Sequence, residues 1–467
     1  MKDFQQKIAA LGLTIPEIML PRGDLQKWAV IACDQFTQDR DYWEKVKNTA
    51  AGAPSALNLI FPEVFLSDGD MPRRIKDIHE TMMRYLDRGI FVGARRGCVY
   101  LERDTPFQRG RRGLVVAVDL EQYDWTPSAR PLIRSTEGTV PERLPPRMDI
   151  RRGAPLETSH VLLLIDDETE SLLPPLGERA KKAPPLYQTG LMMGSGSISA
   201  WFLDTEADWA FISEKLAELA RRALTRYLPG GQGVSAGDET GGAPFLFAAG
   251  DGNHSLAAAK GIWEEYKKVH SGTNGGALPD HPCRYALVEI ENIYDPAITF
   301  EPIHRVIFGM DFDEALAVLA GLPGFSSREP GGREELIRLT AEPCAGNRFG
   351  IAARSAVSGG AASGNRYALV ETSAGGIATA ELQPLLDRHL ARAAGSRALS
   401  IDYIHGAEEL FRLASASGRQ AVGILLPPVK KAGLFETVAR SGPLPRKSFS
   451  MGEAAEKRFY LECRRLF

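Results

Sequence analysis

Cysteine is scarce in this sequence, and its arrangement indicates neither a metal site nor a disulfide framework. The 467 residues include five cysteines, spread from Cys33 to Cys463, and no C-x-x-C pair occurs. Closely spaced cysteine pairs are the usual signature of structural zinc sites, and an even set in a secreted chain indicates disulfides. We therefore interpret the cysteines as thiols in a reducing compartment and expect a cytoplasmic protein.

Long apolar runs and an excess of one charge are also missing. No stretch of about 18 apolar residues is present, as a membrane-spanning helix requires, and the N-terminal sequence lacks the cleavage site of a secretory signal. The 56 basic and 59 acidic residues leave a formal net charge of −3. A nucleic-acid partner is therefore disfavoured, since such proteins present a basic surface, and no membrane partner is expected.

The common nucleotide-binding signatures are absent as well. There is no G-x-x-x-x-G-K-[ST] string, and no kinase-like H-R-D or D-F-G set occurs. The string GSG at residues 194–196 has the first two glycines of G-x-G-x-x-G, but Ser199 stands at the third position. We interpret that string as an ordinary loop.

Apolar periodicity predicts a mixed α+β fold in two regions, residues 1–309 and residues 310–467, the second being a C-terminal α/β region. Strands are predicted at residues 28–32, 97–102, 113–120, 160–165, 198–203, 245–249, 285–290, 348–353, 366–371 and 420–426. Helices are predicted at residues 73–88, 209–227, 255–269, 312–322, 382–394 and 407–416. Residues 228–243 are rich in Gly, Pro and Ser, a composition typical of a loop.

The most informative string is GDGNHS at residues 250–255, between the apolar run 245–249 and the helical pattern 255–269. A strand that ends in glycines and opens a helix presents several backbone N–H groups at one point, and such a point attracts phosphate. A tight turn that caps the helix explains the same residues equally well. The residues that would contact phosphate or support chemistry there are Gly250, Asp251, Gly252, Asn253, His254 and Ser255.

The longer string AAGDGNHSLAAAK resembles the phosphate-binding motif of the ParB/sulfiredoxin superfamily. Over nearly its full length the chain also resembles the domain of unknown function family 1015, whose A-D-G-H-H-R-Y-x-x-A motif is matched in part at residues 250–259. The family's H-E-x-T, P-x-H-R and P-x-K-S elements are matched by TEGT at 136–139, PIHR at 302–305 and PRKS at 445–448. The resemblance implies a ParB/sulfiredoxin-like nucleotide-binding core in residues 1–309.

Three positions depart from the family pattern. Ser255 stands where the family has Arg, so one cation expected on phosphate is missing. Thr136 replaces the His that precedes the Glu, and Asn253 replaces the first of two histidines. These departures indicate a divergent subfamily. If the turn still binds phosphate, another cation must stand in for the missing Arg, and the arginine-rich segment from Arg134 to Arg152 is the place to look for it.

The resemblance implies chemistry like that of free-serine kinases, which transfer a phosphoryl group from ATP or ADP to the hydroxyl of L-serine with Mg²⁺. In that case Glu137 would be the general base and His254 a further catalytic residue. Asp251 would hold the magnesium ion, with Asp34 as a second candidate ligand. The alternatives remain a surface or helix-capping Glu137 and a turn-forming Asp34.

Other basic residues are candidates for contact with the nucleotide. Arg134, Arg143 and Arg147 belong to an arginine-rich segment that would either clamp phosphates or form an exposed loop held by carboxylates. His304 and Arg305 would either reach the nucleotide or serve the structure. Residues 447 and 448 would either reach back over the site or begin a C-terminal strand.

The leading hypothesis is a nucleotide-dependent phosphotransferase that acts on a small hydroxylated metabolite, with free L-serine the first candidate. Two alternatives are a nucleotide-binding regulator without phosphoryl transfer, which the loss of Arg at Ser255 favours, and a hydrolase of phosphoesters or nucleotides. The sequence leaves open which nucleotide is used, which acceptor is phosphorylated, and whether the protein forms a homo-oligomer.

Overall fold

Two units make up the part of the chain that the structure, a computed structural model, describes. The described residues are 3–37, 39–66, 68–227, 243–270, 281–355, 364–394, 397–416 and 418–467. Unit 1 comprises Met1–Thr299 and Met451–Phe467, and unit 2 comprises Phe300–Ser450. This division differs from the predicted one at residues 309 and 310, because the strand that contains PIHR pairs inside unit 2 and the C-terminal residues pair inside unit 1. The loop predicted at 228–243 lies, except for Ala243, outside the described residues.

The helices of unit 1 follow the predicted apolar periodicity. The helix predicted at 73–88 is confirmed, and it buries Ile78, Met82 and Tyr85 on one face. The helix predicted at 209–227 is also confirmed, with acidic residues in its first turn, where they complement the helix dipole. The α-helices in the described part of unit 1 are α1 (Asp3–Ala10), α2 (Leu25–Trp28), α3 (Arg40–Ala50), α4 (Met71–Asp87), α5 (Leu144–Arg151), α6 (Leu173–Ala180), α7 (Glu206–Tyr227) and α8 (Asn253–His270).

The strands of unit 1 form one large mixed sheet and smaller pairs. The strands that precede residue 300 are β1 (Leu13–Thr14), β2 (Glu17–Ile18), β3 (Val30–Ile31), β4 (Arg95–Arg96), β5 (Cys98–Asp104), β6 (Arg111–Asp119), β7 (Tyr123–Asp124), β8 (Ile133–Ser135), β9 (Leu156–Thr158), β10 (Val161–Ile165), β11 (Tyr187–Gly190), β12 (Ser197–Leu203), β13 (Phe247–Asp251) and β14 (Tyr285–Asn292). The large sheet has the order β11-β12-β5-β6-β14-β10-β13-β8-β7, with β1 paired to β6. Its parallel pairs include β10 with β14 and β8 with β13. The predicted mixed α+β class is therefore confirmed.

One predicted strand of unit 1 is much shorter than expected. The pattern at residues 28–32 predicts a strand, but only Val30–Ile31 is extended and Trp28 ends helix α2. The side chain of Asp24 caps that helix by accepting the backbone N–H groups of Gln26 and Lys27. The cap stabilises a short turn of helix that apolar patterning alone does not show.

Unit 2 is an antiparallel sheet with helices on both faces. Its helices are α9 (Phe312–Leu319), α10 (Arg333–Ala341), α11 (Ala378–Ala393), α12 (Ala407–Ala414) and α13 (Leu434–Ser441). Its strands are β15 (Phe300–Phe308), β16 (Ser326–Arg328), β17 (Arg348–Arg354), β18 (Asn365–Glu371), β19 (Ser400–His405) and β20 (Ala421–Leu425). They follow the order β16-β18-β17-β20-β15-β19. The strands predicted at 348–353 and 366–371 are confirmed, and they pair antiparallel as β17 and β18.

The two faces of this sheet carry separate apolar clusters because side chains alternate along each strand. Ile307, Ile351 and Ile424 face a cluster that includes residues of α9 and α11. Their neighbours Val306, Ala352 and Leu425 face a second cluster that includes residues of α10 and α12. Burial on both faces explains why the strands read as nearly continuous apolar runs.

His304, from the PIHR string, lies on β15 in the interior of unit 2. Its imidazole is 4% exposed, and its Nδ1 accepts the backbone N–H of Leu426 at 3.1 Å. Burial, together with the neighbouring Arg305 and His405, lowers the pKa of His304 to about 4. The guanidinium of Arg305 is fully buried and donates to Gln383 Oε1 at 3.0 Å and to the Lys447 carbonyl at 2.9 Å. Both residues therefore have structural contacts within unit 2.

The C-terminal residues return to unit 1. The last three strands are β21 (Phe449–Met451), which pairs with β15 of unit 2, and β22 (Phe459–Tyr460) and β23 (Cys463–Arg465), which follow unit 2. β22 pairs with β3, and β23 pairs with β9. Ser448 is buried just before β21, and its hydroxyl donates to the Pro445 carbonyl at 2.6 Å. This geometry supports the interpretation of residues 447 and 448 as the approach to a strand.

A buried cluster of arginines and glutamates holds this returning segment, residues 451–467, in unit 1. Arg458 lies 3.0 Å from Glu289 on β14 and also pairs with Glu462, and all three side chains are at most 2% exposed. Arg111 on β6 pairs with Glu291 at 2.9 Å. Arg103 on β5 donates to the Lys457 carbonyl at 2.5 Å. A buried charge without a partner is strongly unfavourable, so these groups specify the position of the segment.

Among the described residues, none of the helices combines the length and the apolar character needed to cross a bilayer.

Replacing Arg458 with Met leaves two buried carboxylates without their main cation. We expect Arg458→Met to lower the free energy of unfolding of unit 1 by about 3–5 kcal/mol. Urea unfolding followed by tryptophan fluorescence measures this, because all six tryptophans lie in unit 1. Lys76→Met is the matched control, since its pair with Glu80 is exposed and contributes at most about 0.5 kcal/mol. Equal stability of the two variants would contradict the role assigned to Arg458.

The buried imidazole of His304 makes the stability of unit 2 depend on pH. The unfolded chain binds a proton near pH 6.5, whereas the folded imidazole stays neutral down to a pKa of about 4. Stability is therefore complete above pH 6.5 and falls by up to about 3 kcal/mol as the pH drops to 4. Hydrogen exchange of β20, corrected for intrinsic rates, measures the loss. His304→Gln keeps an acceptor for Leu426 and flattens the profile; an unchanged profile in that variant would assign the pH dependence elsewhere.

Candidate functional site

Two loops meet at one edge of the large sheet in unit 1. Strands β8 and β13 are parallel neighbours, with Ser135 opposite Ala249, so the residues that follow them emerge side by side. TEGT at 136–139 follows β8, and the GDGNHS string ends β13 and opens α8. The Thr136 hydroxyl donates to the Ala249 carbonyl at 2.5 Å, and the Val140 N–H donates to His254 Nε2 at 3.2 Å. The structure therefore places the loop that carries Glu137 beside the turn that carries Asp251.

The turn between β13 and α8 has a conformation that requires glycine. Gly252 has φ 81°, and a Cβ there would lie 3.0 Å from Val161 Cγ2. Its N–H donates to Asp251 Oδ1 at 2.9 Å. Glycine is required at position 250 for a different reason: Met451 and Leu164 fill the space that a side chain would need. The helix that follows has 18 residues and begins at Asn253, so the positive end of its dipole lies at the turn, with Ser255 in its first turn.

Lys457, from the returning segment, supplies a cation to this turn. Its Nζ lies 3.4 Å from Asp251 Oδ2, with side-chain exposures of 8% for the lysine and 35% for the aspartate. The sequence points to the arginine-rich segment from Arg134 to Arg152 for a cation in place of the family Arg. Lys457, which lies outside that segment, is a cation beside Asp251. No local motif predicts that Lys457 lies beside Asp251, because its position depends on the pairing of β22 with β3.

Two aromatic side chains lie within electrostatic reach of Asp251. The rings of His160 and Tyr460 are 5.1 Å apart. Burial lowers the pKa of His160, and the nearby Asp251 carboxylate opposes that change. Burial raises the pKa of Tyr460, with further contributions from Cys33, Asp251 and Glu63. Both groups are therefore neutral near pH 7 and can serve as hydrogen-bonding or stacking partners for a ligand.

Two buried polar atoms at the paired loops lack hydrogen-bond partners among the described residues. They are Asn253 Oδ1 and Thr139 Oγ1. Asn253 Nδ2 donates to the Ala249 carbonyl at 3.2 Å, which orients the amide and leaves Oδ1 as an acceptor. Unsatisfied buried polar atoms are rare in folded proteins and are expected where a ligand binds.

The three candidate arginines have different surroundings. Arg134 is buried; it donates to the carbonyls of Pro131 and Ala243 and lies over the Phe245 ring. Arg143 is exposed on the short turn that leads into α5. Arg147 pairs with Glu63, which is itself electrostatically coupled to Tyr460. Arg147 is therefore connected, through Glu63 and Tyr460, to the surroundings of Asp251.

The remaining candidates are placed as follows. His304 and Arg305 belong to unit 2 and have the contacts described above. The backbone of Asp34 lies in a short 3₁₀ turn, but its side chain lies outside the described residues. Among the residues that the structure describes, no group of three or more His, Cys, Asp or Glu could hold a metal ion.

Comparison with solved structures gives distant likenesses. A free serine kinase in complex with AMP is 12% identical, with a TM-score of 0.34 over 73% of this chain and 88% of that chain. A conserved hypothetical protein from Pyrococcus furiosus is 12% identical, with a TM-score of 0.32 over 76% and 97%. SbnI with C-terminal truncation from Staphylococcus aureus is 10% identical, with a TM-score of 0.34 over 74% and 85%. No curated protein matches the chain.

The family model gives a direct assignment. It is described as a protein of unknown function (DUF1015), and it matches residues 16–356. The match includes the TEGT, GDGNHS and PIHR strings and covers well over half of the chain. The protein belongs to the DUF1015 family.

Proposed function

We propose that this protein is a nucleotide-dependent phosphotransferase that acts on a small hydroxylated metabolite, with free L-serine the first candidate. The observation that carries the proposal is that the loop with Glu137 lies beside the Asp251–Gly252 turn at the ends of β8 and β13, with Lys457 next to Asp251. A carboxylate, a glycine turn at a helix start and a cation are the parts that phosphoryl transfer needs. The resemblance of TEGT to the H-E-x-T element of the family, and of GDGNHS to the phosphate-binding turn of the ParB/sulfiredoxin superfamily, which includes free-serine kinases, supports the same reaction.

The phosphates of ATP or ADP would bind at the start of α8. Backbone N–H groups of the first helical turn have no earlier turn to bond with, and the helix dipole favours negative charge there. Lys457 adds a full positive charge to that partial one. Ser255 and Thr139 offer hydroxyl donors on the two sides of the turn.

The chemical step requires a base for the acceptor hydroxyl. The hydroxyl oxygen forms a bond to the terminal phosphorus of the nucleotide, and the bond from that phosphorus to its bridging oxygen breaks. The hydroxyl proton passes to Glu137, and the nucleotide leaves with one phosphoryl group fewer. Positioning and charge neutralisation provide most of the acceleration in such transfers. His254 holds the loop of Glu137 through its bond to Val140 and is a positioning residue in this scheme.

Magnesium fits the site through few protein ligands. Asp251 and the unsatisfied Asn253 Oδ1 are oxygen ligands of the kind that Mg²⁺ prefers, and the nucleotide phosphates and water would complete its shell. When bound, the ion would neutralise charge on the phosphates.

We expect the protein to phosphorylate L-serine in the presence of Mg²⁺ and either ATP or ADP, with the product detected by mass spectrometry. Asp251→Asn should abolish turnover, and Glu137→Gln should lower kcat by roughly two orders of magnitude, as loss of a general base does. Glu142→Gln is the control, because Glu142 is an exposed carboxylate further along the same loop. Wild-type rates in both site variants would remove the roles assigned to Asp251 and Glu137.

The same assay separates the alternatives. Tight nucleotide binding without product from any hydroxyl metabolite identifies a regulator, which the Ser255 departure favours. Release of inorganic phosphate without an acceptor identifies a hydrolase. Either result overturns the phosphotransferase.

Lys457→Met tests the substitute cation. We expect KM for the nucleotide to rise roughly 10–100-fold, the effect of losing a charge-assisted hydrogen bond to phosphate, whereas Lys457→Arg should retain part of the affinity. Lys215→Met is the control, since Lys215 pairs with Glu218 on α7. Tryptophan fluorescence of each variant checks folding. An unchanged KM in folded Lys457→Met protein would exclude Lys457 from phosphate binding.

A further inference from the structure

Unit 2 contains a cavity beside the amino-terminal end of α11. The cavity, counted with its open mouth, has a volume of about 270 Å³. Gly376, Ile377 and Thr379 form one wall, and Asn347 and Lys430 are also among its lining residues. Because most of this volume is open space at the mouth, the enclosed part has room for only one small polar group of a ligand.

The helix end in this wall has no side-chain cap. Strand β18 leads through Gly375 and Gly376 into α11, which has 16 residues, and the N-cap residue Ile377 offers no hydrogen-bonding side chain. The backbone N–H groups of a first helical turn need partners from outside the helix. A strand, a pair of glycines and a helix therefore meet at this cavity as a strand, a glycine turn and a helix do at GDGNHS in unit 1.

The Thr379 hydroxyl is an independent indication of a ligand. Thr379 lines the cavity and is 1% exposed, and its Oγ1 has no hydrogen-bond partner among the described residues. Thr340 also has a buried hydroxyl without a partner among the described residues. It lies near the end of α10, where a small rotation of its side chain lets the hydroxyl donate to a carbonyl of the preceding helical turn. Thr379 lies in the first turn of α11, where no preceding helical turn provides such a carbonyl.

The charges around the cavity favour one negative charge on the ligand. Lys430 Nζ donates to the Gly346 carbonyl at 3.0 Å, which leaves two of its three donors. Glu381, one turn into α11, accepts from Asn347 Nδ2 at 3.5 Å. The positive charge comes from one lysine and the helix end, and one carboxylate opposes it. The net positive charge therefore matches a ligand with one negative charge better than a doubly charged phosphate.

We infer that this cavity binds the carboxylate group of a small metabolite. The N–H groups of Ala378 and Thr379, at the start of α11, and the Thr379 hydroxyl donate to the carboxylate oxygens, and Lys430 provides the countercharge. The site lies in unit 2 and does not depend on the phosphotransferase activity proposed for unit 1.

Hydrogen exchange of the full-length protein tests this site locally. Sodium acetate, titrated against sodium chloride at constant ionic strength, should slow exchange of the peptide spanning residues 374–386 in a saturable manner. Thr379→Val should raise the acetate concentration for half-protection about tenfold, as loss of a hydrogen bond to a charged group does. Thr340→Val removes an equally buried hydroxyl outside the cavity and should leave that concentration unchanged.

The exposed Lys430 provides a second variant that does not threaten folding. Lys430→Met should also raise the half-protecting concentration severalfold. Absence of saturable protection, or equal protection of wild type and both cavity variants, overturns the site. Stronger protection by inorganic phosphate than by acetate overturns the carboxylate assignment. Because the readout is confined to residues 374–386, inactivity of the unit 1 site does not affect it.

Discussion

The buried pairing of Arg458 with Glu289 and Glu462 is the interaction on which the site of unit 1 depends. Arg458 has no exit to solvent, so the returning segment has to place its guanidinium between these two carboxylates. The backbone at Lys457 is extended, and adjacent side chains of an extended chain point to opposite sides. Fixing Arg458 in the interior therefore directs Lys457 to the other side, toward Asp251.

A second constraint is the parallel pairing of β8 with β13. An antiparallel neighbour would place TEGT and GDGNHS at opposite ends of their strands, whereas parallel strands bring both loops to the same edge. The bonds from Thr136 to Ala249 and from Val140 to His254 then hold the loops together. The loops that carry Glu137 and Asp251 come from segments far apart in sequence, and they are adjacent because β8 and β13 are neighbours in the sheet.

Local patterns predicted most strands and helices, because the apolar periodicity of 75–86 or 160–165 is a property of neighbouring residues. They also predicted the strand, turn and helix around GDGNHS. They did not predict Lys457, which depends on the pairing of distant strands and a buried ion network. Arg134 lies in the matched segment but is buried over Phe245, and PIHR lies in a different unit from GDGNHS. The sequence motifs predicted the two loops of the candidate site, whereas the cation beside Asp251 is identified from the fold.

The replacement of the family Arg by Ser255 therefore leaves the turn with a positive charge, but of a different kind. A guanidinium on the helix would bind phosphate through two parallel bonds, whereas Lys457 is a point charge with three donors. Its distance of 3.4 Å from Asp251 Oδ2 exceeds the 2.7–2.9 Å of a strong charge-assisted hydrogen bond. Both groups thus retain hydrogen-bonding capacity for a ligand. A positive charge is therefore kept at the turn. An Arg at position 255 would be positioned by α8, whereas Lys457 is positioned by the buried ion pairs of its neighbour Arg458.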